Sequence, residues 1–202
     1  MRNDERLRTI YEVMAPYIVR NEHNWRDYLA FASQFHKHSF DNILLVYAQD
    51  EDVSILATRK QWAAIGRNLI PRAKGVAVCV YRNAKLTLDY LFDVSQTTGK
   101  EIHPTDWQLS DEMKEALTER LSYAHGFPKQ GFSQALYALA SESVADNYNH
   151  FLQELKQETK GHLFTEIPAG GFEAQYIQLL TDSISYFIGK KCHLPDEEIQ
   201  LR

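Results

Sequence analysis

The fold is decided by residues 75–93, which read GVAVCVYRNAKLTLDYLFD. Residues 76–81 are apolar almost throughout, which is typical of a strand buried on both faces. After a turn by composition at residues 82–85, apolar side chains recur at every second position, which predicts a strand with one buried and one solvated face. We therefore expect a β-hairpin whose second strand buries Leu86, Leu88, Tyr90 and Phe92.

Helical patterns lie on both sides of this hairpin. Residues 5–50 carry apolar side chains at i, i+3 and i+4 spacing, with Asn24 and Ser39 as expected helix caps. Thr58 and Gln61 have the form of a capping box that opens a short helix. Residues from about 104 onward are helical again in pattern. The sequence thus predicts an α+β fold, with helices flanking a small antiparallel hairpin or sheet and a helical C-terminal region.

The domain organisation follows from the connection between these parts. The segment from Gly99 to Asp106 is short, so little chain separates the mixed part from the helical part. We expect one domain over residues 1–202, with an α+β part at 1–100 and a helical part at 104–202 packed on it.

Composition places the chain among globular proteins. It has 202 residues, 44% of them apolar and 24% charged, and no apolar run approaches the roughly 20 residues of a membrane span. The N-terminal residues lack the apolar core of a secretory signal, so we expect a cytoplasmic protein. Cys79 and Cys192 stand far apart in apolar surroundings, and we expect two buried thiols rather than a disulfide.

The charge is sorted along the chain. Residues 53–88, called the basic segment below, contain seven Lys or Arg residues and no Asp or Glu. The net charge is −5, so +7 in these 36 residues leaves −12 for the other 166. Such a segment favours a partner that carries phosphates, with nucleic acid the commonest. The alternative is a solvated surface whose acidic partners come from other segments.

Eight residues are the candidate nucleic-acid contacts: Arg59, Lys60, Arg67, Arg72, Lys74, Tyr81, Arg82 and Lys85. Three of the cations lie in the loop 66–75, which is bounded by glycines and so allows close approach of its backbone. Two flank the hairpin turn, and two follow Thr58 in a helical first turn, where the helix dipole disfavours cations. Tyr81 is the candidate for stacking on a base, whereas Trp62 is expected in the core.

Patterns for catalysis and for metal binding are weak. The chain contains no His-Glu-x-x-His, no Walker loop and no Gly-x-Ser-x-Gly, and its closest histidine pair is the isolated His36-Lys37-His38. We expect no enzyme activity, no metal site and no cofactor.

Short motifs occur in a fixed order through most of the chain. They are Trp25, Tyr28-Leu29-Ala30, Phe40 to Gln49, Trp62, Gly66-Arg67, Lys74-Gly75-Val76, Tyr90 to Thr97, Ala145 to Tyr148, Asp182 to Phe187, and Cys192 to Pro195. This order resembles the N-terminal domain of ArdC-type antirestriction proteins. It is still more similar to the N-terminal segment of the large helicase- or methylase-like proteins of conjugative elements in Gram-positive gut bacteria.

The resemblance implies a module that binds single-stranded DNA, within a protein of mobile elements. Two departures limit what it implies. The zinc protease-like domain of ArdC has no counterpart here, because His-Glu-x-x-His is absent. The loop at Arg72-Ala73-Lys74-Gly75 lacks one glycine of the family pattern, so we expect a stiffer loop.

Two functions therefore remain open from the sequence. The first is a sequence-tolerant module for single-stranded DNA. The second is a non-catalytic module that contacts other proteins, or other domains of a longer parent protein. The net charge of −5 favours the second, because a dedicated DNA-binding domain is usually basic overall.

Overall fold

The computed structural model describes residues 3–35, 37–83, 85–102, 109–128, 131–158, 160 and 171–199. It divides into two compact units, Met1–Asp106 and Trp107–Arg202. Unit 1 combines helices with a small antiparallel sheet, and unit 2 is helical. The α+β class predicted from the sequence is confirmed. The prediction of a single domain over the whole chain stays a prediction.

In the residues that the structure describes, unit 1 contains four helices and five short strands. The helices are α1 (Asn3–Ile18), α2 (Glu22–Ser33), α3 (Phe40–Gln49) and α4 (Arg59–Ala64). The strands are β1 (Leu56–Ala57), β2 (Arg67–Leu69), β3 (Val76–Arg82), β4 (Lys85–Asp93) and β5 (Thr97–Gly99). One antiparallel sheet has the order β1-β4-β3, and a second consists of β2 and β5. The hairpin β3–β4 is therefore the largest sheet element of the unit.

Helix caps follow the local sequence, with one correction. The caps at Ser39 and Thr58 are confirmed, and Thr58 forms a full capping box with Gln61. The cap predicted at Asn24 is wrong, because Asn21 caps α2 and its side chain accepts from the backbone N–H of Asn24. Asn21 is the last extended residue before the helix, which is the geometry that a capping side chain needs.

The two faces of the hairpin differ from the prediction. Cross-strand pairing puts Val76 opposite Leu91, and this face packs into the core with Val76, Val78 and Leu91 at most 6% exposed. The face predicted as buried carries Leu86 and Tyr90, which are 53% and 45% exposed. Alternation within one strand shows that two faces differ, but only the packing partner decides which one is covered.

The segment after α4 was predicted as a loop and is partly a strand. Arg67 to Leu69 pair with Thr97 to Gly99, so the prediction of a loop is wrong at Arg67. Gly99 adopts φ +134°, and a Cβ placed on it would lie 2.4 Å from the carbonyl oxygen of Gly66. Only glycine allows this approach of two backbones, which closes the small sheet.

The sequence predicts two buried thiols, but neither cysteine is fully buried. Cys79 and Cys192 are free thiols, and both are half-buried. Burial is the main cause that raises the pKa of each thiol above its ordinary value.

Unit 2 consists of three helices in the part that the structure describes. They are α5 (Asp111–His125), α6 (Phe132–Glu158) and α7 (Phe172–Lys191). Ser110 caps α5, and Gly126 ends it in the left-handed conformation at φ +69°. None of the helices described in either unit is long and apolar enough to cross a membrane.

Candidate nucleic-acid interface

The hairpin presents an exposed aromatic face. Its members are the side chains that alternate to one side of β3 and β4, namely Ala77, Cys79, Tyr81, Leu86, Leu88, Tyr90 and Phe92. Tyr81 is 79% exposed and lies directly opposite Leu86 in the register. An exposed ring beside an exposed aliphatic side chain forms an apolar platform at the tip of the hairpin.

The loop before β3 joins this aromatic face at its other end. A Cβ placed on Gly75 would lie 3.0 Å from both Phe92 Cζ and Tyr90 Cβ. Gly75 therefore packs its backbone under these two residues, and its neighbour Lys74 is exposed. The face thus extends from Tyr81 at the tip of the hairpin to a cationic loop at its base. The distance between these two ends is roughly 20 Å, at ~3.4 Å per residue along β3.

The two cations at the hairpin turn occupy the opposite face. Arg82 pairs with Lys85 in the register, and strand alternation puts both on the other side from Tyr81. Arg82 Nη2 lies 2.6 Å from Asp89 Oδ2, so this guanidinium has an acidic partner within the hairpin. Proximity in sequence therefore does not bring Tyr81 and Arg82 to one surface.

Arg67 has a structural role in the fold. Its guanidinium donates to Thr97 Oγ1 at 2.7 Å, to the Thr97 carbonyl at 2.9 Å and to the carbonyl of Lys100. These bonds join β2 to β5 and to the residue after it. Most N–H donors of the Arg67 guanidinium are engaged within the protein. Arg67 therefore has fewer free donors for a phosphate than the candidate cations without internal partners.

Five of the predicted cations remain without an acceptor. In the part of the chain that the structure describes, no hydrogen bond or ion pair engages the exposed side chains of Arg59, Lys60, Arg72, Lys74 and Lys85. Arg72 holds φ +65° without being glycine, so its backbone is locally strained.

The predicted core position of Trp62 is confirmed. Its side chain is 1% exposed, and its indole N–H donates to the carbonyl oxygen of Phe92 at 2.8 Å. This bond anchors α4, and with it Arg59 and Lys60 at the start of the helix, against the end of β4. Trp62 therefore holds α4 against β4 from within the core, and its buried ring is not available to a ligand.

Asp93 organises the base of the hairpin. Its carboxylate is buried and accepts from the backbone N–H groups of Ser54, Ile55 and Ser95, at 2.7 to 3.0 Å. Burial alone would raise the pKa of this carboxyl, but the hydrogen bonds from Ser54, Ser95 and Ile55 together lower it below the ordinary value. The Phe92-Asp93-Val94-Ser95 motif that carried the family resemblance thus has a structural role here.

Sequence reasoning missed the contact that supports β3. The side-chain amides of Asn42 and Gln49 bind the outer edge of the strand, Asn42 at Cys79 and Gln49 at Ala77. Both lie on α3, seven residues apart, which is two turns and so one face of the helix. That spacing is the only signal in the sequence, and without knowing which strand faces the helix it identifies no partner.

Unit 2 offers a cavity but no assembled chemistry. A cavity of about 590 Å³ is lined by residues 131–134 and 136–138 at the start of α6, by Ser185 of α7 and by residues 197–199. The Ser185 hydroxyl is buried without a hydrogen-bond partner, whereas Ser133 and Glu198 bond to each other at 2.8 Å. Within the described residues, no group of three or more His, Cys, Asp or Glu side chains is arranged to hold a metal ion.

Comparisons with known proteins add no assignment: no protein family, no curated protein and no solved structure matches the chain.

Proposed function

We propose that unit 1 binds single-stranded DNA with little sequence preference. The observation that carries this proposal is the highly exposed ring of Tyr81, on a face that begins at a loop with two unpaired cations, Arg72 and Lys74. Bases of every kind stack on an exposed aromatic ring, and cations along the path of the strand neutralise its phosphates.

The arrangement favours a single strand over a duplex. Stacking needs a base that is free of its neighbours, which a duplex does not offer without the cost of unstacking. The hairpin face is also a narrow row of side chains and has no helix shaped to enter a major groove. Unpaired cations lie in the loop at the base of this row and at the start of α4, so a single strand stacked on Tyr81 would follow the row to reach them.

The setting of this activity is carried by the resemblance alone. On that basis we propose a cytoplasmic, non-catalytic module of a mobile-element protein, related in function to the ArdC-type N-terminal domain. Asp93 and Thr97, which belong to the resembling motifs, have structural roles in unit 1. The DNA contact therefore rests on Tyr81 and the unpaired cations rather than on those motif residues.

The second candidate function is a protein-interaction module. It is favoured by the exposed apolar side chains on the same face. Leu86 is 53% exposed, and its aliphatic side chain can contact a nucleic-acid base but cannot stack on it as an aromatic ring does. A protein partner would bury Tyr81 and Leu86 together and would need no phosphate.

Fluorescence anisotropy separates the two candidates. A labelled single strand of ~20 nucleotides and the matching duplex are titrated with the 202-residue chain at low and at moderate salt. We expect tighter binding of the single strand and a log K that falls with log salt at a slope of about −3, from four or five phosphate contacts at ~0.7 each. Absence of binding at low salt would exclude the DNA proposal and leave the protein-interaction module.

A further inference from the structure

The hairpin has two outer edges, and the described residues cover them to different extents. The edge of β3 is occupied by the side-chain amides of Asn42 and Gln49, which bind both backbone groups of Cys79 and of Ala77. Because these two residues direct their N–H and C=O groups away from β4, they belong to the pairs that exchange no ladder hydrogen bonds.

The direction of the β4 backbone follows from the same register. Leu88 lies opposite Cys79 and Leu86 lies opposite Tyr81, two positions further along. Leu86 and Leu88 therefore also direct their N–H and C=O groups away from the hairpin, on the β4 side. Within the described residues these four groups have no hydrogen-bond partner. We call them the β4 edge.

The neighbouring strand does not reach the β4 edge. β1 pairs with β4 only at Phe92 and Asp93, after which the chain turns into α4 at Arg59. The outward N–H of Tyr90 is satisfied locally, because Asp89 Oδ1 accepts from it at 3.0 Å. The stretch whose outward N–H and C=O groups are both unpaired thus consists of Leu86 and Leu88, beside the exposed tip of the hairpin. An open edge of this kind is a template for another strand.

We propose that the β4 edge pairs with the β4 edge of a second copy of this chain, antiparallel about a two-fold axis at Thr87. This register puts Leu86 opposite Leu88 of the second copy and satisfies all four unpaired groups on each chain. The two copies together form one sheet of the order β3-β4-β4-β3.

Charge selects this register over its neighbour. An axis at Thr87 puts Lys85 opposite Asp89 of the second copy, and the symmetry repeats this opposite-charge pair. Lys85 is exposed and has no acidic partner among the described residues, so it is available for this contact. Asp89 already pairs with Arg82 of its own chain at 2.6 Å, so Lys85 of the second copy would add a second cation to this carboxylate. An axis at Leu88 would instead put Lys85 opposite the buried Leu91, and would require the Tyr90 N–H that Asp89 already binds.

A cysteine at the symmetry axis tests the register directly. Residues that face each other in a pair without ladder hydrogen bonds have Cα atoms about 4.5 Å apart, which a disulfide spans. Thr87→Cys is made in a Cys79→Ala, Cys192→Ala background and exposed to a mild oxidant. We expect a covalent dimer on a non-reducing gel. Thr98→Cys, an exposed threonine on β5, is the matched control and stays monomeric.

Reversal of the charges tests the same contact without cysteines. Sedimentation of the chain from about 1 µM to about 200 µM covers the range of a weak interface. Lys85→Asp and Asp89→Lys each create two like-charge pairs per dimer, so each weakens the dimer by roughly tenfold or more. The double swap restores association. Circular dichroism of each variant monitors the fold.

Two results would overturn the proposal. One is a chain that stays monomeric over the whole concentration range, which would leave the β4 edge to a strand of another protein. The other is a Thr87→Cys variant that crosslinks no faster than Thr98→Cys. If Thr87→Cys does not fold, the charge variants decide the question. Association that the Lys85→Asp, Asp89→Lys double swap restores supports the proposed register, and association that it does not restore overturns it.

Discussion

Asn42 of α3 binds both backbone groups of Cys79, donating to its carbonyl at 2.7 Å and accepting from its N–H at 2.8 Å. One side chain thereby replaces the strand that would otherwise lie beside β3. Gln49 repeats the contact at Ala77. The helix thus fixes the position of the hairpin and leaves Tyr81, the next outward residue, at the open tip.

Replacing Asn42 by Asp tests this contact. The carboxylate still accepts from the N–H of Cys79, but it cannot donate and faces the carbonyl oxygen with a like partial charge. We expect a loss of about 1–2 kcal/mol in the free energy of unfolding, measured by urea denaturation. Asn68→Asp makes the same change at an exposed position and should stay within about 0.5 kcal/mol of the parent. Equal effects at both positions would contradict the contact.

Arg67 and Arg72 are expected to differ in how much they contribute to the free energy of unfolding. Arg67→Lys removes the fork that bonds Thr97 and Lys100, so unfolding should become easier by about 1–2 kcal/mol. Arg72→Lys keeps the charge on an exposed loop and should leave stability unchanged. The measurement is the urea midpoint of each variant. A stable Arg67→Lys protein would show that the guanidinium does not hold β2 to β5.

Asp93 should give stability a specific dependence on pH. Its pKa is lowered in the folded protein, so its contribution is present above the unfolded value near 4 and is lost as pH falls through the folded value. Asp93→Asn should destabilise the protein by roughly 2–4 kcal/mol at neutral pH, because an amide N–H₂ then meets backbone donors. The gap to the parent protein should narrow on acidification below about pH 4.

The control for Asp93 is Asp52→Asn, the same substitution in an exposed loop. It should change stability little at any pH. A gap between Asp93→Asn and the parent that stays constant down to acid pH would show that the carboxylate charge is not what stabilises the turn.

Tyr81 is the residue on which affinity for single-stranded DNA should depend most. Loss of one stacked base is worth about 1–3 kcal/mol, so Tyr81→Ala should weaken binding by roughly 5- to 150-fold. Tyr81→Phe keeps the ring and should bind nearly as well as the parent. Tyr123→Ala removes a tyrosine of unit 2 that is 93% exposed, and it should have no effect in the same anisotropy assay.

The loop cations should control the salt dependence. Arg72→Glu with Lys74→Glu removes two phosphate contacts, so the slope of log K against log salt should become shallower by about 1.4. Arg120→Glu with Lys156→Glu changes the net charge by the same amount at exposed positions of unit 2. An equal loss of affinity in both pairs would mean that overall charge, rather than this loop, attracts the DNA.

Local signals in the sequence determined much of unit 1. The reversal of the chain between Arg82 and Lys85, the caps at Ser39 and Thr58 and the buried position of Trp62 all follow from neighbouring residues. Each depends on contacts within a few positions or on plain hydrophobicity. The cluster of cations in residues 53–88 is likewise visible before any folding.

What only the tertiary structure decided are the relationships between distant segments. Alternation in β4 could not show that Val78 rather than Leu86 meets the core, because β3 is apolar on both faces and the packing helices choose between them. The bonds of Arg67 to Thr97 bridge thirty residues, and no local pattern predicts which arginine of a basic segment is used internally. Sequence therefore determined which residues are charged or aromatic, and tertiary packing decided which of them remain available to a partner.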